Sequence, residues 1–205
     1  MRQILERTGS ENYRAFLSGS RNWRKDLYPE YKANRRDMPN PAHLYSCKEF
    51  LIKEWNAEVS DGVEADDDIA IAWNSNPDSI ICSIDKDFHQ LPGSFYNFVK
   101  DEIYTIEPTQ ALHYFYKQTI LGDKSDNVPG YDGKARQAPT KAIQAIYEEL
   151  EQCETEEECY QACLSAYEGV GQTEDDLILT AQLLYLWRKN PDMWEPPNGQ
   201  RQTKE

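Results

Sequence analysis

The sequence predicts an α/β fold: a core built on a parallel sheet, followed by a region made of helices alone. Three observations carry this reading. Strand-like and helix-like segments alternate over the first half of the chain, after which helical patterns run on alone. One short apolar run, residues 79–84 (Ser-Ile-Ile-Cys-Ser-Ile), follows Asn76-Pro77 without polar alternation, as a strand buried on both faces requires. Two carboxylates, Asp85 and Asp87, stand directly after that run, where open α/β sheets bind ligands.

The elements follow in order. Residues 2–8 form the end of a helix closed by Gly9, and residues 13–17 a short strand leading into the turn Ser18-Gly19-Ser20. Residues 21–36 make a basic, aromatic loop. Pro39-Asn40-Pro41 breaks structure, and Leu44, Cys47, Phe50, Leu51 and Trp55 then recur at helical spacing. Asp61-Gly62 is a turn; a helix starts near Asp66 with Ile69 and Trp73 inward. Residues 95–99 and 102–106 form a hairpin around Lys100-Asp101. Pro108 opens a helix to Leu121 with Glu107 ahead of it. Residues 122–138, rich in Gly, Pro and Asp, are loop. Helices over 139–151, 155–167 and 174–188 finish the fold, and the polar, Pro-rich tail frays from about residue 190.

With 205 residues the chain suits one α/β domain carrying a helical appendage. The net charge of −14 by itself speaks against a nucleic-acid partner. Its distribution reverses that inference: residues 1–46 hold nine Lys/Arg against five acids, whereas residues 147–176 hold eleven acids and no Lys or Arg. A basic N-terminal part can meet phosphate while the acidic helices, including residues 154–158, face solvent. The five cysteines form no Cys-x-x-Cys pair, so they are free thiols; Cys159 and Cys163, four apart, are small core residues. No apolar run reaches membrane-spanning length and no leader opens the chain, which predicts a soluble, cytoplasmic protein with no membrane partner.

The chemistry lies in three carboxylate groups: Glu64, Asp66 and Asp67 in Gly-Val-Glu-Ala-Asp-Asp-Asp, Asp85 and Asp87 in Ser-Ile-Asp-Lys-Asp-Phe, and Asp123 and Asp126 in Leu-Gly-Asp-Lys-Ser-Asp-Asn. Singly, each reads as helix caps or turn residues. Converged, they would repel one another unless cations sat between them, and hard oxygen donors in such number select Mg²⁺, with Mn²⁺ as the alternative. Two such ions about 4 Å apart activate water and stabilise the leaving oxygen of a phosphodiester. His43, His89 and His113 are scattered without ligand spacing and receive no role.

Glu-Ala-Asp-Asp, Asp-Lys-Asp and Gly-Asp-Lys-Ser-Asp-Asn-Val-Pro-Gly, in this order, resemble the metal motifs of the 5′→3′ exonuclease and flap endonuclease superfamily. The stretch Phe-Leu-Ser-Gly-Ser-Arg-Asn-Trp-Arg-Lys-Asp-Leu-Tyr-Pro-Glu-Tyr-Lys-Ala-Asn-Arg, residues 16–35, is similar to its phage branch. The resemblance covers roughly residues 14–150. It implies a PIN-like core over residues 1–118 with a basic arch, then a helical region over 119–205 with a helix–three-turn–helix-like element that holds DNA. It implies two Mg²⁺ ions on Glu64, Asp66, Asp67, Asp85, Asp87, Asp123 and Asp126, with Asp66, Asp67, Lys32 and Arg35 catalytic. Arg21, Arg24, Lys32, Arg35, Arg36, Gly130, Gly133, Lys134 and Lys141 are the implied DNA contacts, and Trp23 and Tyr31 either stack on unpaired bases or pack on the core. The implied substrates are DNA 5′ ends and flaps and RNA–DNA hybrids, cut by in-line hydrolysis without a covalent intermediate; replication proteins are implied partners that the sequence does not name.

Two departures stand out. Members of that superfamily open with a strand bearing an Asp in a pattern like Ile-Asp-Gly, whereas this chain starts in what resembles the following helix, and residues 16–20 lack the acid that many members place before the arch. An internal start, a strand from another chain and a non-catalytic relative are the three explanations, the first being preferred because the other carboxylates are intact. The missing strand leaves apolar sheet edges exposed. The segment resembling Gly-x-Gly-x-Lys-Thr-Ala has different spacing here, which removes the basis for expecting potassium. A PIN-type ribonuclease, a DNA-junction-binding relative that does not cut, and an acidic DNA mimic are the competing readings.

Overall fold

The computed structural model describes residues 1–197. Its elements run α1 (Arg2–Thr8), β1 (Phe16–Leu17), α2 (Trp23–Leu27), α3 (Leu44–Trp55), β2 (Glu58–Val59), α4 (Ala65–Ser75), β3 (Ile80–Cys82), β4 (Gly93–Asn97), β5 (Glu102–Ile106), α5 (Pro108–Leu121), α6 (Lys141–Leu150), α7 (Glu156–Gly169) and α8 (Glu174–Leu184). β1 and β2 pair in parallel, Phe16 opposite Glu58. β3 pairs in parallel with β4, Ile81 opposite Phe95, and β4 in antiparallel with β5, Phe95 opposite Tyr104. The two sheets are not hydrogen-bonded to each other, and α4 packs on both β1 and β3. Val59 and Ile84 are left largely exposed.

Local signals set most boundaries. Gly9 takes the left-handed conformation (φ 65°) that ends α1. Pro108 sits in the first turn of α5, where its missing N–H costs nothing, behind the Glu107–Gln110 capping box. Thr140, Thr155 and Thr173 cap α6, α7 and α8 through their hydroxyls. The expected boundary at 118 falls inside α5, whose inward face packs on α7 and α8.

Three expectations needed correction. Residues 21–36 are not a plain loop: Asn22 caps α2, and residues 33–35 form a 3₁₀ turn. α3 has the expected helical spacing, but none of its residues is buried, and Tyr45 and Phe50 are exposed. The last helix ends at Leu184: the Tyr185 N–H still bonds Ala181 O, but Tyr185 turns extended, and from there the Tyr185 carbonyl and the Leu186 and Trp187 N–H groups bond to Arg24, Gln90 and Asp67. The tail does not fray at 190: Trp194 is buried against Phe115 and Tyr160. Residues 198–205 of that tail lie outside the described residues.

Two cores result. Ala70, Trp73, Ile81, Phe88, Leu91, Phe95 and Leu186 fill the α/β half. The larger helical core includes Tyr116, Ile143, Leu150, Tyr167, Leu177 and the buried free thiols Cys159 and Cys163. Among the described residues no helix is long and apolar enough to cross a membrane.

Candidate active site

Three local devices bring the carboxylates forward. Glu64 caps α4, so Asp66 and Asp67 lie in its first turn, where the helix dipole favours negative charge. Asp85 caps the 3₁₀ turn Lys86–Gln90 just past β3, accepting from the Asp87 N–H at 3.0 Å. Asp123 braces its own loop: Oδ1 accepts from the Ser125 N–H and hydroxyl, both at 2.6 Å, and from the Asp126 N–H at 3.2 Å. That loop docks on the basic segment through Lys32 N–H to Asp126 O (2.8 Å) and Asn127 Nδ2 to Glu30 O (2.8 Å).

The loop and α4 meet at Tyr31. Its buried hydroxyl lies 2.7 Å from Glu64 Oε2 and 2.8 Å from Asp126 Oδ2, so one phenolic proton serves two carboxylates. Burial, then the Glu64 charge, pushes the phenol far above its ordinary range, and it stays protonated. Lys32 pairs with Glu64 and reaches Asp126 Oδ2 at 3.3 Å, and Arg35 pairs with Asp126. Burial opposes ionisation of Glu64, but Lys32 and Arg24 outweigh it and hold the carboxyl below its usual value.

Among the described residues, Asp66, Asp85, Asp87 and Asp123 form no ion pair, unlike Glu64, Asp67 and Asp126. Burial, then the charges of Asp85 and Glu64, raises Asp66 to about 7. Burial, then Asp85 and Asp123, raises Asp87 to about 7. Asp66 and Asp87 feel Asp85 in common, and Asp87 also feels Asp123 and Asp126, so six acids from three segments share one field. Gln118 of α5, which the sequence reading missed, donates to Asp87 Oδ1 at 2.6 Å; only its inward helical position marks it.

Asp67 and Arg24, expected as a metal ligand and a DNA contact, pair with each other. Both are buried. Arg24 Nη1 donates to Asp67 Oδ2 (2.6 Å) and Nη2 to Oδ1 (2.8 Å), while the N–H groups of Glu64 (3.1 Å) and Trp187 (3.2 Å) take one oxygen each. Four donors thus saturate the carboxylate, and no lone pair is left for an ion. Arg24 Nε donates to Leu183 O (2.8 Å) and Nη2 to Tyr185 O (2.7 Å), and Nη1 also lies 3.6 Å from Glu64 Oε2, so the buried guanidinium is engaged on every nitrogen.

The other expected DNA contacts are dispersed. Arg21 is exposed and paired with Asp61; Arg36 is exposed and bonds Pro29 O. Lys134 is exposed, 3.4 Å from Asp132, and Lys141 is exposed in the first turn of α6. Gly133 (φ 70°) faces open space. At Gly130 a Cβ would sit 2.4 Å from Gly122 N and 2.5 Å from Ile120 O, so its smallness serves the chain's own close crossing. Tyr31 and Trp23 pack inward, Trp23 stacking on Trp187 at 4.9 Å.

Among the described residues, no three His, Cys, Asp or Glu side chains sit closely enough to hold one ion between them. Lys32, Arg35 and the Tyr31 hydroxyl occupy oxygens of Glu64 and Asp126 that an ion would need. The donor chemistry nevertheless fits hard divalent cations: carboxylate oxygens only, with Asp66 and Asp87 raised by repulsion that a cation would relieve.

A parallel strand delivers acids to its C-terminal end, beside a capped helix bearing more of them, in an α/β domain. The chain belongs to the family described as 5′-3′ exonuclease, N-terminal resolvase-like domain, whose profile matches residues 1–120. It is 32% identical over 131 residues to the 5′-3′ exonuclease of Buchnera aphidicola subsp. Schizaphis graminum, covering 56% of this chain and 46% of that one. It is 30% identical over 126 residues to flap endonuclease Xni of Shewanella oneidensis, covering 54% and 48% respectively. The chain therefore spans about half the length of these curated relatives. A structure of the bacteriophage T5 flap endonuclease superposes with a TM-score of 0.52 at 17% identity, covering 89% of this chain and 88% of that one. The expected fold is borne out.

Proposed function

We propose that this chain is a divalent-cation-dependent nuclease that hydrolyses DNA at 5′ ends and flaps, with the RNA strand of hybrids as a further substrate. The observation that carries the reading is the shared field of Glu64, Asp66, Asp85, Asp87, Asp123 and Asp126, faced by Lys32 and Arg35. Family membership supports it, as do the activities for which the Buchnera and Shewanella relatives are named.

Those six carboxylates would hold Mg²⁺ or Mn²⁺, which supply water activation and charge neutralisation at the leaving oxygen. Binding must displace the protons that Asp66 and Asp87 keep near neutrality, so uptake is pH-linked. Once Glu64 and Asp126 are otherwise neutralised, Lys32 and Arg35 are released toward a scissile phosphate. A point charge and a planar fork complement charge developing on its oxygens. Asp67 and Arg24 support α4 and touch no substrate. Residues 1–118 form the catalytic core of this proposal, and residues 119–205, with Lys134 and Lys141, hold the duplex.

The test is cleavage of a 5′-labelled flap duplex in Mg²⁺ and in chelator. Asp66→Asn and Asp123→Asn should each lower the rate at least a hundredfold. Wild-type rates in both variants would remove the site assignment. Flap binding with no Mg²⁺-dependent product favours the junction-binding relative, and preferential cutting of plain single-stranded RNA favours a ribonuclease.

A further inference from the structure

The end of α8 and the residues that follow it, 183–188, run between the two elements that carry Asp66 and Asp87. The carbonyls of Leu183 and Tyr185 accept from Arg24, and the Trp187 N–H donates to Asp67; these partners belong to the α4 side. The Leu184 carbonyl accepts from Gln90 Nε2 (3.0 Å), the Leu186 N–H donates to Gln90 Oε1 (2.9 Å), and Arg188 Nη2 donates to Gln90 O (3.0 Å). Gln90 is 1% exposed and ends the 3₁₀ turn that begins at Asp85 and holds Asp87. Leu183, Leu184, Leu186 and Trp187 are all buried. Leu183 and Leu184 close α8, so their carbonyls are helix-end acceptors that Arg24 and Gln90 satisfy, and the chain leaves the helix at Tyr185.

We infer that residues 183–188 are a spacer strap that fixes the separation of Asp66 on α4 from Asp85 and Asp87, with Gln90 and Arg24 as its positioning residues. The physical reason is leverage. Asp66 adjoins the Asp67 anchor, and Asp87 is three residues from the Gln90 anchor, so a slip of the strap changes the distance between the carboxylates directly. Every polar atom of Arg24, Asp67 and the Gln90 side chain that touches the strap is buried, and buried groups hold their partners because water cannot replace them. The inference rests on the proposed cation site and extends it: the C-terminal strap, remote in sequence, sets the geometry of acids some 100 residues upstream (Trp187 to Asp67 spans 120 positions and Leu186 to Gln90 spans 96).

The experiment is Mn²⁺ titration of the whole chain by electron paramagnetic resonance, with no DNA present. Gln90→Met keeps the volume and removes both strap bonds; Arg188→Met removes only the bond to Gln90 O and is the milder variant should the first fail to fold. Leu177→Ala, in the helical core away from the strap, is the control for lost stability. Gln90→Met should weaken Mn²⁺ at least fivefold and Arg188→Met about twofold, while Leu177→Ala stays within experimental error of the wild type. Equal midpoints in the strap variants and the wild type overturn the strap. An equal loss in Leu177→Ala also overturns it, by showing that stability alone governs uptake. A wild-type chain that takes up no Mn²⁺ overturns the site reading and the strap together.

Discussion

Replacing Asp67 by Asn separates a supporting carboxylate from a ligating one. Asp67 presents two oxygens, each facing one Arg24 nitrogen and one backbone N–H. An amide keeps one oxygen. Whichever way it is turned, its NH₂ then points at two donors, and the buried Arg24 guanidinium loses its counter-charge. Removing one partner of a buried ion pair costs about 3–5 kcal/mol. For a chain of this size each kcal/mol moves the melting temperature by about 2–4 °C, so Asp67→Asn should melt roughly 10 °C below the wild type. The assay is thermal and urea unfolding in chelator, so that no bound cation contributes. Asp66→Asn, measured beside it, should melt at or above the wild type at pH 8, because it removes a charge that burial and Asp85 disfavour. A melting temperature for Asp67→Asn within about 2 °C of wild type, with Mn²⁺ uptake abolished, would refute the reasoning and return Asp67 to the ligands.

Three further outcomes are expected. In chelator, Asp66 and Asp87 have folded pKa values near 7, above the unfolded value, so the stability they lend is complete below about pH 4 and is lost as pH rises through 7. His89, lowered mainly by burial, acts in the opposite sense in the same window. The quantity to read is therefore the difference between the wild type and Asp66→Asn/Asp87→Asn, which should shrink toward pH 5 and vanish in saturating Mg²⁺; a pH-independent difference contradicts the assignment. Arg35→Ala should lower flap cleavage more than tenfold while costing about 1 kcal/mol or less, since Arg35 is 45% exposed and its pair with Asp126 is solvent-screened; a fall in stability that accounts for the lost rate would argue against a phosphate role. Gly130→Ala forces a Cβ into the backbone of Gly122 and Ile120 and should cost about 3 kcal/mol or more, whereas Gly133→Ala, strained only by its φ of 70°, should cost about 1 kcal/mol; equal urea midpoints would contradict the close crossing.

Local chemistry made much of this protein legible. α5 is written in Glu107, Pro108 and Gln110, and the three threonine caps mark the starts of the final helices. The carboxylate groups could be read because chemistry of this kind needs acids in close sets, and their order along the chain identified the family before any geometry was known. Arg24 escaped that reading because its type and its basic neighbourhood both point to a surface; nothing nearby shows that Asp67, 43 positions away, saturates it. Asp67 was misread for the complementary reason, since its motif position matches a ligand and only the packing shows its lone pairs already taken. The strap was hidden in an apolar run, Leu-Leu-Tyr-Leu-Trp, that continues the helical pattern of α8 and leaves the helix only where Arg24 and Gln90 offer better partners.

The sequence by itself therefore determined the class of fold, the starts of the capped helices, the family, and the seven acids from which a candidate site is drawn, because propensities, caps and motif spacing act over a few residues. Tertiary structure alone decided which carboxylate is support and which is exposed to a cation, where the C-terminal segment lies, and which basic residues remain free to meet a phosphate. Those outcomes depend on burial and on competition among distant donors and acceptors. The strength of each such contact is set by the low-dielectric surroundings that only the assembled chain creates.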